Sequence, residues 1–168
     1  NTAELSKQLN LARFHPKVQG SIYFSSKLLT QNTKGWRDTL RNTHFKELAL
    51  VPTMPWIDSI PPTAPHQVSL AKRDGEWHLD WKSGEAPVDL DPVAYYVVYR
   101  FKKTDVDPFE QAEHIIYKGR ATHVKIPTNW MNSGYGFAVT AFDRMHNESV
   151  PGTIQLVVAV EEEHKKEN

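Results

Sequence analysis

Cysteine is absent from the 168 residues of the chain. Its absence excludes disulfide frameworks, thiolate metal sites and cysteine nucleophiles. An excess of one charge is also missing, since Lys+Arg and Asp+Glu both total 20. Nucleic-acid binders depend on basic residues to neutralise phosphates, so this balance argues against such a partner. No stretch approaches the roughly 18 apolar residues that a membrane-spanning helix needs, so we expect no such helix.

Several motifs that carry chemistry are missing as well. Glycine-rich phosphate loops and the Gly-x-Ser-x-Gly elbow do not occur. The eight histidines are scattered, without a His-x-x-x-His pair, so a zinc site is not indicated. We expect neither a cofactor nor a bound metal.

The composition is that of a globular chain, with 39% hydrophobic and 24% charged residues. Its texture changes at residues 51–65, which contain five prolines. Proline fixes φ and removes a backbone donor, so this density predicts an extended linker. Met54, Trp56 and Ile57 make the linker too apolar to be fully solvated, and we expect it to pack on a neighbour.

The residues before the linker have a helix-strand-helix pattern. Helical spacing of Leu5, Leu9 and Ala12 predicts a helix from Thr2 to about Arg13. Residues 18–26 are β-branched and aromatic, which favours a short buried strand. A second helix is predicted from Gly35, because four residues share one face: Trp36, Thr39, Leu40 and Thr43. One strand cannot form a sheet, so this segment cannot be a complete α/β domain.

After the linker the apolar pattern changes to a period of two. It predicts seven short strands, at residues 66–72, 76–82, 93–101, 114–118, 123–126, 135–142 and 153–160. Turn signals every dozen or so residues indicate an antiparallel β-sandwich over residues 66–160. The charged tail, residues 161–168, is expected to fray.

This second segment resembles the fibronectin type III family. The matching features, in chain order, are the proline-rich entry 61–65, Trp81 at the end of the second strand, the alternating Tyr95, Val97 and Tyr99, and Tyr135 at the start of the sixth strand. The resemblance implies a mainly β, fibronectin type III-like (immunoglobulin-like) fold of about 100 residues.

The first segment and linker resemble the end of a bacterial glycoside-hydrolase-like family built on a TIM barrel. The resemblance rests on residues 18–27, 40–42 and 52–56. It implies that residues 1–50 are the C-terminal remnant of a (β/α)8 barrel, with residues 20–26 as its eighth strand and residues 35–48 as its last helix. The rest of the barrel, with the acidic residues such a family uses, would belong to a larger parent protein.

The carboxylates of the first sixty residues offer no catalytic pair. Glycoside hydrolysis needs two carboxylates facing each other across the sugar bond. None of the four acidic residues in this part follows the predicted strand, where barrel chemistry occurs: Glu4, Asp38, Glu47 and Asp58. We therefore predict no catalytic residue.

Two sets of residues are candidates for substrate binding. Ser25, Ser26 and Lys27 follow the predicted strand and would border the cleft of an intact barrel, although a strand end entering a polar loop is the favoured interpretation. Trp36, Trp56 and Trp130 could stack on sugar rings, with Trp130 in a loop as the best exposed candidate. Packing is the more common role of such rings, and Trp77 and Trp81 are expected in the core.

Asp89 and Asp91 form an Asp-x-Asp pair that could hold calcium. Calcium requires six or more oxygens, and no longer ligand series is nearby. A polar loop between two strands is therefore the favoured interpretation.

Three functional hypotheses follow. The leading one is a non-catalytic accessory or scaffold domain of a glycoside hydrolase that acts on polysaccharide. The alternatives are a carbohydrate-binding module that uses exposed aromatics and, least favoured, a hydrolase in its own right. Partners would be the remaining barrel, polysaccharide, or a second copy joined through residues 1–60. An apolar outer face of Tyr96, Val98 and Phe101, or its opposite, would pack on the remnant and linker. The resemblance also implies export from a bacterial cell.

Overall fold

A computed structural model describes residues 2–85, 91–102, 104–131, 134–152 and 155–156. Asp89, the tail 161–168 and most of the predicted last strand lie outside these residues. The chain divides into two compact units, Asn1–Glu47 and Leu48–Asn168.

The first unit is helical. Helix α1 runs over Thr2–Phe14, α2 over Lys27–Thr30 and α3 over Trp36–Thr43, with a 3-10 turn at Thr33–Gly35. Leu9 and Leu40, from α1 and α3, are buried with 5% exposure each. The first helix agrees with the prediction. The last is shorter than the predicted 35–48, because the amides of His44 and Phe45 both donate to the Leu40 carbonyl and close the final turn.

The strand predicted at residues 18–26 does not form in this structure, whereas the place of residues 20–26 as the eighth strand of a complete barrel stays a prediction. These residues have no strand hydrogen bonding. A strand needs a neighbour for its backbone N–H and C=O groups, and the described part of the first unit offers no second strand. Ile22 and Phe24 are consequently 100% and 99% exposed.

The second unit is antiparallel. Its strands are β1 His66–Arg73, β2 Glu76–Lys82, β3 Tyr95–Lys102, β4 Ile115–Gly119, β5 His123–Ile126, β6 Tyr135–Phe142 and β7 Gln155–Leu156. They form a three-stranded sheet in the order β1-β2-β5 and a four-stranded sheet in the order β4-β3-β6-β7. The predicted mainly β sandwich is confirmed.

The core lies between the sheets. Trp81 of β2 meets Tyr96 of β3 edge to face, with ring centroids 5.6 Å apart. Leu79, Val98 and Val139 have no exposed surface. Burying a side chain of this size stabilises the fold by roughly 1.5–3 kcal/mol. The predicted core position of Trp81 is confirmed.

The four-stranded sheet also has a covered outer face. Val97, Tyr99 and Phe101 point to this side, where Leu50 and Phe109 pack on them. This corrects the outer face first named in the prediction: Tyr96 and Val98 lie in the core, and the opposite face is the outer one. Side chains alternate along a strand, so Phe101 cannot share a face with Tyr96 or Val98.

Candidate functional site

The linker is attached to the sandwich through its backbone. The amide of Met54 donates to the carbonyl of Met145 at 3.1 Å, and the side-chain amide of Asn147 donates to the carbonyl of Asp58 at 3.2 Å. The linker therefore packs on a neighbour, as its apolar content predicts. Trp56 and Ile57 nevertheless stay 77% and 62% exposed on the turn between these two attachments.

A buried pair of side chains holds the second attachment. Asp143 and Asn147 are 1% and 7% exposed. The Asp143 carboxylate accepts the backbone amide of Asn147 at 2.9 Å and its side-chain amide at 2.8 Å. Buried polar groups are stable only when hydrogen-bonded, so the two side chains fix each other and, through Asp58, the linker.

The tryptophans differ from one another in exposure. Trp130 is half-buried against the core, and the Arg100 guanidinium lies 4.1 Å from its ring centroid. The same guanidinium lies 4.4 Å from the ring of Tyr135. Trp36 is half-buried as well, so Trp56 is the most exposed tryptophan of the chain. An arginine between two rings gives no signal in a local sequence pattern.

Ser25, Ser26 and Lys27 are exposed and lie at the start of α2, rather than at the end of a strand. The amide of Lys27 donates to Ser25 Oγ at 3.4 Å, and Ser26 is the N-cap residue of the helix. These three residues are neighbours in the first unit, whereas Trp130 belongs to the second.

The first unit contains a cavity of about 370 Å³ that the sequence did not indicate. Its walls include Arg13, Val18, Ser21, Tyr23 and Phe45, but not Ser25, Ser26 or Lys27. Burial raises the pKa of Tyr23, while the charge of Arg13 opposes this shift. The cavity therefore lies beside the first half of the segment that was predicted to be a strand.

Two of the four acidic residues considered for catalysis form local contacts in the first unit. Glu4 accepts a hydrogen bond from Gln8 at 3.2 Å. Asp38 accepts bonds from Arg37 at 3.1 Å and Asn32 at 2.6 Å, and these two bonds lower the pKa of Asp38. Such contacts stabilise turns, and the lowered pKa keeps Asp38 ionised, which does not favour a role as general acid.

The other two acidic residues also interact with residues close in sequence. Glu47 pairs with Lys46 at 3.0 Å, and Asp58 accepts the amide of Ile60 at 3.0 Å. Within the described ranges, no cluster of three His, Asp or Glu side chains could hold a metal ion. Asp91 is instead paired with Arg144 at 3.0 Å.

Glu148 and Glu110 are two acidic residues that the sequence analysis missed, and both line a cavity of about 330 Å³ on the outer face. Tyr99 Oη donates to Glu148 Oε1 at 2.7 Å. Burial, reinforced by the charge of Glu110, raises the pKa of Glu148. Burial is also the main reason why the pKa of Tyr99 is raised. Leu50, the residue just before the linker, also lines this cavity, so the arrangement favours a structural role in fixing the start of the linker.

Among the described residues, no helix is long and apolar enough to cross a membrane.

Comparison with known proteins identifies one curated relative. No protein-family model matches the chain. Glycosyl hydrolase YngK of Bacillus subtilis is 31% identical over 150 residues, which cover 87% of this chain and 28% of YngK. The chain therefore spans just over a quarter of that relative's length, and the predicted resemblance to a bacterial glycoside-hydrolase protein is confirmed.

Solved structures overlap with a little over half of the chain. Titin kinase with its flanking domains has a TM-score of 0.45 at 18% identity, over 59% of this chain and 17% of that one. The Clostridium perfringens spore cortex lytic enzyme SleM has a TM-score of 0.40 at 16% identity, over 58% of this chain and 28% of that one. The structure of FN3tt mut has a TM-score of 0.40 at 15% identity, over 57% of this chain and 91% of that one.

The assignment of the fold rests on the strand order. One sheet of β1-β2-β5 faces another of β4-β3-β6-β7, and an aligned antiparallel sandwich of seven strands is the architecture that fibronectin type III shares with immunoglobulin domains. The chain is thus similar to part of a bacterial glycosyl hydrolase, and its second unit is a fibronectin type III-like domain.

Proposed function

We propose that this chain is the C-terminal part of a glycoside hydrolase that acts on polysaccharide, and that it serves there as a non-catalytic accessory. Residues 1–47 contribute the last elements of a (β/α)8 barrel whose other strands lie elsewhere in the longer protein. The linker and the sandwich then form an accessory domain beside that barrel.

The observation that carries this proposal is the exposure of large apolar side chains in the first unit. Ile22 and Phe24 are 100% and 99% exposed, Phe14 is 86% exposed and Leu11 is 73% exposed. Large exposed apolar surfaces are uncommon on a monomer and mark surfaces that a partner covers. A neighbouring barrel strand would also pair the backbone of residues 20–26, which explains why that segment has strand composition without being a strand here.

The non-catalytic role is supported by how the acidic residues are used. Asp38 and Asp58 accept local hydrogen bonds, and Glu148 accepts a bond from Tyr99. Retaining and inverting glycosidases require two carboxyl groups about 5 to 9.5 Å apart on either side of the sugar. In this proposal, such a pair is provided by the rest of the barrel.

The test joins this chain to YngK. A chimera carries the part of YngK that precedes the matched region, followed by this chain, and is compared with the chain alone by hydrogen exchange. We expect the amides of residues 20–26 to exchange fast in the isolated chain and slowly in the chimera. A soluble chimera in which these amides remain unprotected would contradict the barrel assignment.

An activity assay tests the second part of the proposal. The isolated chain is incubated with plant and bacterial polysaccharides, and the release of reducing ends is measured. We expect none. Release that is lost in the Glu148→Gln variant would show that the chain is itself a hydrolase.

A carbohydrate-binding module is the second candidate function, and the exposure of Trp56 favours it. The ring is 77% exposed next to Ile57, on a turn attached to the sandwich on either side. Aromatic faces of this kind bind the apolar faces of sugars. Saturable quenching of tryptophan fluorescence by a neutral oligosaccharide, lost in Trp56→Ala and kept in Trp130→Ala, would identify such a module.

The proposal extends to location and partners. A hydrolase of polysaccharides meets its polymer outside the cell, so we place the parent protein in the periplasm, at the surface or in the medium of a bacterium. A second copy joined through residues 1–60 is another way of covering Ile22 and Phe24. The double variant Ile22→Ser, Phe24→Ser should then lower the mass measured by light scattering from dimer to monomer.

A further inference from the structure

A cavity of about 410 Å³ opens at one end of the sandwich. Three connections form it: the residues just before β3, the turn between β4 and β5, and the connection after β6. Its walls include Pro92, Val93, Tyr96, Arg120, Thr122 and Arg144. This volume lies within the range of roughly 300–1,000 Å³ that is typical of small-molecule sites.

Hydrogen bonds hold two of the three connections in place. The amide of Ala94 donates to the Phe142 carbonyl at 2.7 Å, which fixes the first connection to β6. The amide of Trp81 donates to the Thr122 carbonyl at 3.0 Å, which fixes the turn to β2. Within that turn, the Ala121 amide donates to Tyr117 Oη at 3.0 Å. These two connections are therefore in place before any ligand binds, which lowers the entropic cost of binding.

The charged groups that line the cavity are two arginines. Arg144 Nε and Nη2 donate to Asp91 Oδ1 and Oδ2 at 3.0 and 3.4 Å, so Asp91 occupies one edge of the guanidinium. The two side chains are 69% and 12% exposed. Asp91 thereby orients a guanidinium that remains largely open to solvent. Arg120 is exposed on the fixed turn. Two guanidinium groups at one opening form a site for a carboxylate, which arginine binds with paired N–H donors.

The rest of the wall is suited to a ring. Pro92, Val93 and Tyr96 line the same cavity and contribute apolar surface to it. Apolar walls with a few fixed polar groups are the usual composition of a small-molecule site. A sugar ring presents C–H groups on its faces and, in a sugar acid, a carboxylate at its edge, so its two parts match the two parts of this cavity.

We propose that this cavity binds the carboxylate-bearing unit of an acidic polysaccharide, with Arg120 and Arg144 on the carboxylate and Pro92 and Val93 against the ring. The choice of a sugar rests on the proposed function, whereas the choice of a carboxylate rests on the two guanidinium groups. The domain then holds an acidic polymer near the catalytic barrel, in addition to its scaffold role.

Isothermal titration of the whole chain with trigalacturonic acid tests the proposal. Its methyl ester is the matched ligand, because it keeps the rings and removes the charge. We expect saturable binding of the acid and at least tenfold weaker binding of the ester. Arg120→Gln and Arg144→Gln should each weaken acid binding roughly tenfold or more, as expected for loss of a charge-assisted bond.

Lys72→Gln is the control variant, because Lys72 is an exposed cation at the other end of the sandwich, next to the β1–β2 turn. It should leave the affinity unchanged. Equal binding of acid and ester, unchanged affinity in both arginine variants, or no saturable binding would each overturn the proposal. Tighter binding of triglutamate would replace the sugar by an acidic peptide.

The outcome is independent of the test of the barrel. Slow exchange of residues 20–26 in the YngK chimera with no binding of trigalacturonate would retain the accessory role and reject only the acidic-sugar site. Binding of trigalacturonate with fast exchange of residues 20–26 in the chimera would retain the acidic-sugar site and reject the barrel assignment.

Discussion

The side-chain amide of Asn147 lies 3.2 Å from the backbone carbonyl of Asp58, to which it donates a hydrogen bond across 89 positions of the chain. The same amide donates to the Asp143 carboxylate at 2.8 Å. One buried side chain thus joins the linker to the connection after β6. The stability of the sandwich and the position of the linker should therefore depend on the same residue.

Replacement of Asn147 by alanine should lower the free energy of unfolding by about 2 kcal/mol. The reason is that the Asp143 carboxylate is left buried without one of its donors, a loss of roughly 1–3 kcal/mol. Urea unfolding measures the change, and hydrogen exchange at Met54 should become faster in the variant. Gln111→Ala removes an exposed amide that also donates to a carbonyl, that of Val106 at 3.0 Å, and should change stability by less than about 0.5 kcal/mol.

The tryptophans Trp81 and Trp56 should respond to alanine in opposite ways. Trp81 is 4% exposed and packs on Tyr96, so Trp81→Ala should destabilise the domain by about 3–5 kcal/mol. Trp56 is 77% exposed, and its removal should change stability by less than about 0.5 kcal/mol. Thermal unfolding of both variants measures the contrast. A large loss of stability in Trp56→Ala would show that the linker packs more tightly than the structure indicates.

Gly152 should not tolerate a side chain. A Cβ at this position would lie 2.5 Å from the Pro65 carbonyl oxygen and 2.9 Å from a methyl of Val68. Gly152→Ala should therefore destabilise the domain by about 1–3 kcal/mol, as overpacking does. At Gly20 an added Cβ has no atom within 4 Å, so Gly20→Ala should leave the urea midpoint nearly unchanged. Equal midpoints for the two variants would contradict the close approach at Gly152.

The pH dependence of stability should change in Glu148→Gln. Burial raises the pKa of Glu148 in the folded state, so this group stabilises the fold most when it is protonated. That contribution is full below its unfolded pKa and is lost as the pH rises through the folded pKa. Glutamine keeps an acceptor for Tyr99 and cannot ionise. The variant should therefore gain stability relative to the natural chain as the pH rises above the ordinary glutamate pKa of 4.5, as measured by urea unfolding at each pH. A constant difference over that range would exclude this titration.

The strands of the sandwich could be predicted because their signals are local. Alternation in β2 and β6, bounded by Gly75 and Gly134 at positive φ, is visible in the printed sequence. The segment 18–26 has the same local signal, yet a strand depends on a partner that no local pattern supplies. The alternation along β3 likewise predicts two faces, but only the packed structure shows that Val97 and Tyr99 lie on the outer one.

The cavity with the two arginines could not be predicted from local sequence patterns. Arg144 and Asp91 are 53 positions apart, and Arg120 joins them only because three connections meet at one end of the sheets. Trp130 illustrates the opposite case, since its position in a loop predicts exposure and a distant arginine covers one face of it. Residues that meet through topology are recognised only once the strand order is known.

The packing of Leu50 on the outer face has a practical consequence for where the domain can be cut. A recombinant piece that starts at His66, the first residue of β1, would lack Leu50 and the Met54–Met145 bond, and would open the face that carries Val97 and Tyr99. The compact unit begins at Leu48. Residues 48–65, which contain no strand, are therefore part of the folded domain. A fusion protein that includes this sandwich should also include them.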